Sequence, residues 1–234
     1  MIVLIITAVR IKSMDSHRIS GRILAENIAG PGMLRLVEQS MQARARKTSV
    51  TEIAVKERKH PQAALTFDDG PDIRYTPFLL DGLKERNVRV SFFLLGEKVE
   101  QYPELVERMQ KEGHLVGNHT YHHVQLNKLN ETKAREEILK TNNLIYETTG
   151  VYPLYLRPPF GAWKKNLELC VEMLPVFWTI DTLDWKVQNT EKIVRTVQEQ
   201  IEDGAIILMH DEYDTSVEAA LQVVDELKNQ GYEL

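Results

Sequence analysis

A chain of 234 residues, 43% hydrophobic and 27% charged, can bury a large core and reads as one globular domain with a modest extension. Its formal net charge of -5 argues against a general nucleic-acid binder, which carries a basic face. With a single cysteine, Cys170, no internal disulfide can form.

Residues 1–9 are an apolar run followed by Arg10 and Lys12. The run is far shorter than the roughly 20 residues a membrane helix needs, and it lacks the basic leader and cleavage site of a signal peptide. Three readings stand: a β-strand, the end of a membrane anchor, or a start set too late. Residues 13–59 are polar and mixed in charge, broken at Gly30-Pro31-Gly32, with a helix expected over 33–45. Segment 1–60 is therefore expected to be an N-terminal extension and 61–234 the domain that carries the candidate chemistry.

From residue 63 short apolar runs alternate with helical stretches. Strands are expected over 63–67, 88–94, 114–116, 154–156, 175–179 and 205–209. Helices are expected over 75–86, 103–112, 131–148, 167–173, 190–201 and 217–230, the second closed by Gly113 as a C-cap. Alternation of this kind implies parallel strands with helices outside. The chemically active residues follow strands: Asp68 and Asp69, His119, Arg157, Asp181 and Asp184, and His210. In a β/α barrel that position is the C-terminal mouth, where active sites lie; an open doubly wound sheet is the alternative.

Asp68-Asp69-Gly70-Pro71 suits a plain turn. It also suits a pair of carboxylates pointing apart, one on a metal and one free to take a proton. His119 and His123 lie one turn apart if their segment is helical, and then reach one ion; His122 breaks the spacing and is not taken as a ligand. Thr120 either caps the following turn or bonds near the metal. Arg157-Pro158-Pro159-Phe160-Gly161 is a stiff loop. Within it Arg157 can pair with a carboxylate, and Phe160 is the plausible N–H donor to an oxyanion, since proline has none. His210 reads as a buried, hydrogen-bonded histidine or as a general acid tuned by a carboxylate such as Asp184. Trp163 and Trp185 read as core or as an apolar wall for a sugar or acetyl methyl, and Cys170 as core.

Five ordered stretches carry a family resemblance: Thr-Phe-Asp-Asp-Gly-Pro, His-Thr-x-x-His, Arg-Pro-Pro-Phe, Asp-x-x-Asp-Trp and Leu-x-His. From about residue 63 to the C-terminus the chain resembles the polysaccharide deacetylases of carbohydrate esterase family four, in particular bacterial peptidoglycan N-acetylglucosamine deacetylases. The resemblance implies an α/β fold, a distorted (β/α)7 TIM-like barrel. It implies Asp68 as general base and His210 as general acid, with Asp69, His119 and His123 holding a divalent metal, usually zinc, sometimes cobalt or nickel. It further implies that Arg157 orients Asp68, that Asp184 braces Arg157, and that Trp185 and Leu208 line an acetyl pocket. Two departures stand out: Phe160 replaces a frequent tyrosine, and relatives usually continue past Leu234 through a final strand, so the last strand here is expected to be frayed.

The expected activity is metal-dependent removal of N-acetyl groups from N-acetylglucosamine residues of a polysaccharide, peptidoglycan first. Alternatives are O-deacetylation of xylan, deacetylation of chitin oligomers, a carbohydrate-binding protein with an inactive site, and a non-haem iron oxygenase, whose facial triad is also two histidines and a carboxylate. The last leaves Asp68, Arg157 and His210 without a job. The expected partner is an acetylated polysaccharide and not nucleic acid. The protein is expected to be a monomer of the cell envelope or exterior, touching membrane only through an N-terminal anchor.

Overall fold

A computed structural model describes residues 60–163 and 173–234. The extension up to residue 59, the helix expected over 33–45, Cys170 and nearly all of the helix expected over 167–173 lie outside them. Among the described residues seven strands run in chain order: β1 (Ala63–Asp68), β2 (Ser91–Leu94), β3 (Leu115–Asn118), β4 (Tyr155–Leu156), β5 (Leu174–Pro175), β6 (Ile180–Asp181) and β7 (Ala205–His210). Between and after them lie the helices α1 (Thr76–Glu85), α2 (Gly96–Gln101), α3 (Pro103–Lys111), α4 (Glu131–Thr149), α5 (Asp184–Val187), α6 (Thr190–Gln200) and α7 (Asp214–Asn229). Among the described residues no helix is long and apolar enough to cross a membrane.

Local sequence accounts for the helix ends. Asn130 and Asn189 accept from the N–H of Lys133 and Lys192, each at 2.9 Å, capping α4 and α6. Pro103 starts α3, where a missing N–H costs nothing. Gly113 and Gly150 follow α3 and α4 with φ of 86° and 72°, the left-handed conformation a helix C-terminus favours.

All strand pairs are parallel, in the order β5-β4-β3-β2-β1-β7-β6. Read around a circle the numbering never reverses. A doubly wound sheet reverses at its switch point, so the topology is that of the distorted (β/α)7 barrel, with its ladder open between β5 and β6. The run 174–182 spans this seam. Val176 N–H donates to Leu156 O at 2.8 Å on one side, and Thr179 N–H to Ile206 O at 2.9 Å on the other. The single strand expected over 175–179 is thus two short strands on opposite sheet edges. At the far end, Glu233 pairs with Gln62 in an isolated parallel bridge.

Period-two alternation sorts the strand residues into two layers. Leu65, Phe67, Phe92, Leu94, Ile207 and Met209 face the helices and form the main core with Leu79, Leu83, Val223 and Leu227. Phe67 and Phe92 are fully buried and stack at 5.5 Å between ring centroids; burying each such side chain is worth ~1.5–3 kcal/mol. The other face carries the polar set. Thr66 pairs in register with Leu208, and Asp68 with both Phe93 and His210. Gly117 has no Cβ because Phe93 occupies the space, its ring 2.7 Å from where that atom would sit.

Candidate active site

Asp68 ends β1 and Asp69 follows it with φ 69°. Neighbours on a strand point to opposite faces; the left-handed turn at Asp69 is the device that lets both carboxylates serve one mouth. Of the seven non-glycine residues with positive φ among those described, Asp69, Thr120, His123, Phe160 and Leu183 lie in the five sequence stretches singled out above. Such backbone strain gathers at functional sites.

Asp69 Oδ1 lies 3.3 Å from His119 Nε2 and 3.4 Å from His123 Nε2. One ligand atom from each of Asp69, His119 and His123 falls within 4.8 Å of the others. The donor set fits a divalent cation. Asp69 Oδ1 is buried without a hydrogen bond. His119 Nδ1 sits 2.6 Å from the Arg157 carbonyl, which can only accept. In the neutral imidazole the proton is therefore on Nδ1, and the Nε2 that faces Asp69 carries the lone pair. Burial alone would raise the Asp69 carboxyl, but the imidazoles of His119, His123 and His210 outweigh it and hold it well below the usual range. Burial pushes His123 down, which favours the neutral, ligating form.

The segment carrying the two histidines is not helical, contrary to the i, i+4 reading. Thr120 and His123 have φ of 68° and 55°, so a loop brings the rings to 5.0 Å between centroids. Thr120 Oγ1 accepts from Val124 N–H at 3.3 Å, capping the turn that follows. His122 points elsewhere, its Nδ1 2.7 Å from Glu137.

Arg157 is fully buried. Its Nη1 donates to Asp68 Oδ1 and to Thr66 Oγ1, each at 2.7 Å, and its guanidinium lies 4.2 Å from the Phe93 ring centroid. Asp68 Oδ2 is left facing the Asp69, His119 and His123 group, 3.7 Å from His119 Nε2. Across the mouth, both oxygens of Asp184 are spent on His210: Oδ2 accepts the backbone N–H and Oδ1 meets Nδ1, each at 2.7 Å. This corrects the implied bracing of Arg157 by Asp184. Leu183 turns in the left-handed conformation just before Asp184, and His210 is the group the carboxylate then meets. The contact suits both readings of His210 offered by the residues alone, a buried hydrogen-bonded histidine and an acid tuned by Asp184. His210 Nε2 lies 3.9 Å from Asp69 Oδ2.

Phe160 sits at φ 59°, and its ring packs 4.5 Å from that of His123. Leu208 is buried, whereas Trp185 is half exposed at the rim. Trp163 packs on the small cluster of Leu126, Ala134, Ile138 and Leu156, favouring its core reading. Asp181 accepts from Leu183 N–H at 3.0 Å and shapes that turn. Sequence reasoning gave Thr66 no role, although a residue two before Asp68 on a strand shares its face.

Asp211 was also missed. It is fully buried behind the Asp69-Gly70 turn: a Cβ on Gly70 would fall 2.3 Å from its Oδ1. Thr76 Oγ1 donates to Oδ2, while Oδ1 has no partner. Burial raises its carboxyl to about 7, against the Thr76 bond and the Lys98 charge. The folded state thus favours the protonated acid, a contribution lost as pH rises from the ordinary carboxyl value through the folded one. Melting temperatures from about pH 5 to about pH 8 are expected to fall more steeply in wild type than in Asp211→Asn. Parallel curves would remove Asp211 as the source.

The sequence profile described as polysaccharide deacetylase matches residues 55–176. The chain belongs to the polysaccharide deacetylase family. It is 41% identical over 178 residues to peptidoglycan-N-acetylglucosamine deacetylase PgdA of Listeria monocytogenes, a match covering 76% of this chain and 38% of that protein. It is 32% identical to a chitooligosaccharide deacetylase of Bradyrhizobium over 73% of this chain and 86% of that one. The solved structure of peptidoglycan deacetylase PdaC from Bacillus subtilis superposes with a TM-score of 0.73 at 40% identity, covering 75% of this chain and 87% of the other. Family deacetylases use a metal, and the Asp69, His119 and His123 set is compatible with one.

Proposed function

We propose that this protein is a metal-dependent hydrolase that removes N-acetyl groups from N-acetylglucosamine residues of peptidoglycan. One observation carries the reading: three metal-binding donors stand between an Arg157-held carboxylate, Asp68, and an Asp184-held imidazole, His210. Zinc is the proposed ion. A divalent cation at Asp69, His119 and His123 supplies Lewis acidity and lowers the pKa of bound water.

The chain's own groups do the rest. Asp68 Oδ2 takes a proton from the attacking water, while Arg157 keeps Oδ1 fixed. The Phe160 N–H donates to the developing oxyanion. His210 holds Nδ1–H against Asp184, so Nε2 carries the mobile proton and gives it to the departing nitrogen. The products are acetate and a free amine. Trp185 and Leu208 wall the acetyl methyl. A facial-triad oxygenase has no use for the Asp68–Arg157 and His210–Asp184 pairs, so hydrolysis accounts for more of the site.

Relatives named for N-acetylglucosamine, for N-acetylmuramic acid and for chitooligosaccharide all match this chain. They support an N-acetyl amino sugar over acetylated xylan. A wall substrate places the protein at the cell envelope or outside the cell, with residues 1–60 as an extension to the catalytic domain. The test is acetate release from N-acetylglucosamine oligomers with added zinc and with a chelator. Release that stops with chelator and returns with zinc is the expected result. Equal release in both arms would remove the metal from the mechanism, and binding without release would make the site an inactive one.

A further inference from the structure

We propose that Glu137, on α4, is a positioning residue for the metal site, holding the loop between His119 and His123 in the shape that turns both imidazoles onto one ion. The inference rests on the metal reading above.

Non-helical, non-strand backbone must find partners for its N–H groups elsewhere. Across the loop 119–123 much of that demand falls on one side chain. Glu137 Oε2 accepts from Tyr121 N–H at 3.0 Å and from His122 N–H at 2.9 Å. Its Oε1 meets His122 Nδ1 at 2.7 Å. The two residues it grips are the last two of the three that separate the ligands, and they lie between two left-handed residues, Thr120 and His123. Neither threonine nor histidine prefers that conformation, so surrounding bonds must impose it.

The same helix holds the start of the loop. Asn118 Nδ2 donates to Ile138 O at 2.8 Å and to Asn142 Oδ1 at 2.7 Å, and Asn118 Oδ1 accepts from Thr120 N–H at 2.7 Å. On the opposite side, Gly96 N–H donates to Thr120 O at 2.9 Å. The β3 end of the loop is therefore fixed by Asn118, and its middle by Glu137. Removing the Glu137 acceptor leaves Tyr121 and His122 N–H without these partners, and the easiest relaxation is away from the positive φ at His123. That moves one ligand relative to the other without touching the ion, Asp68 or His210.

The experiment measures zinc affinity of the full chain by competition with a chromophoric chelator, together with the visible spectrum of cobalt(II)-loaded protein. Glu137→Ala is expected to bind zinc about 10–100-fold more weakly, the range for losing a group that orients metal ligands, and to show an altered cobalt spectrum. Glu137→Gln keeps an oxygen acceptor and is expected to restore both. Glu136→Ala, which removes the adjacent exposed charge, is expected to bind like wild type. Wild-type affinity in Glu137→Ala overturns the proposal, as does equal weakening in Glu136→Ala or no rescue by Gln. Should the alanine variant not fold, Glu137→Asp, which withdraws the carboxylate by one methylene, is expected to weaken zinc binding, and wild-type affinity there is equally fatal. If wild type itself binds no zinc, the metal reading falls and this inference with it. If wild type binds and the variants match it, only this inference falls.

Discussion

Asp68→Asn is expected to cut acetate release about 10³-fold, within the ~10²–10⁴ that a positioned general base contributes, while zinc still binds. Asparagine matches aspartate in shape, so the Arg157 Nη1 donor keeps an oxygen at Oδ1. What disappears is the basic oxygen on the metal side. The variant has a structural cost as well. Arg157 is fully buried, and neutralising its carboxylate leaves a charge uncompensated; breaking a buried pair outright costs ~3–5 kcal/mol. Asparagine, which still accepts a bond, should cost less. Thermal denaturation must therefore accompany the kinetics, so that lost activity is counted per folded molecule. The matched variant is Asp69→Asn, which is expected to lose zinc and with it activity. Near wild-type release by Asp68→Asn would refute the base assignment. Zinc lost from Asp68→Asn but kept in Asp69→Asn would exchange the two roles.

Much of this site is written locally in the chain. Asp68, Arg157 and His210 follow short apolar runs, and parallel strands carry such residues to one mouth. The register then places Asp68 beside His210. What stayed hidden has physical causes. Two-residue strands such as β6 carry no periodicity, and the run 174–182 looks like one strand because its bonds to both sheet edges depend on closure of the barrel. The six-residue α2 is too short to show an amphipathic face. The spacing of His119 and His123 suits a helix as well as this loop. Only the positive φ at Thr120 and His123 decides between them, and those angles are imposed by Glu137 and Asn118, remote or mute in sequence. The Asp184 partner was legible as chemistry, a carboxylate near a histidine. The implied bracing of Arg157 gave way to where the left-handed turn at Leu183 delivers the side chain.

That Asp184–His210 pair yields a pH signature. Burial alone would lower the His210 imidazole; the Asp184 bond and charge, with Asp69 and Asp68 behind, raise it to about 9. A general acid works only while protonated, so activity is held below the folded pKa and lost as pH rises through it. Asp184→Asn keeps an oxygen near Nδ1 but removes the charge, and burial then dominates. The basic limb of the kcat profile is expected to move to lower pH by more than about one unit, with activity near pH 6 less affected than activity near pH 8. A cation at Asp69 also pushes His210 down, so wild type and variant are compared at equal zinc loading. Stability should follow the same sign. A histidine raised from 6.5 to about 9 on folding contributes stability that is full below the unfolded pKa and disappears as pH passes the folded one. That contribution is on the order of 3 kcal/mol; Asp184→Asn should forfeit most of it near neutral pH, on top of a pH-independent cost of about 1–3 kcal/mol for turning its amide NH2 toward the His210 backbone N–H. A basic limb that stays in place in Asp184→Asn would mean that another group sets it and that His210 is not the acid.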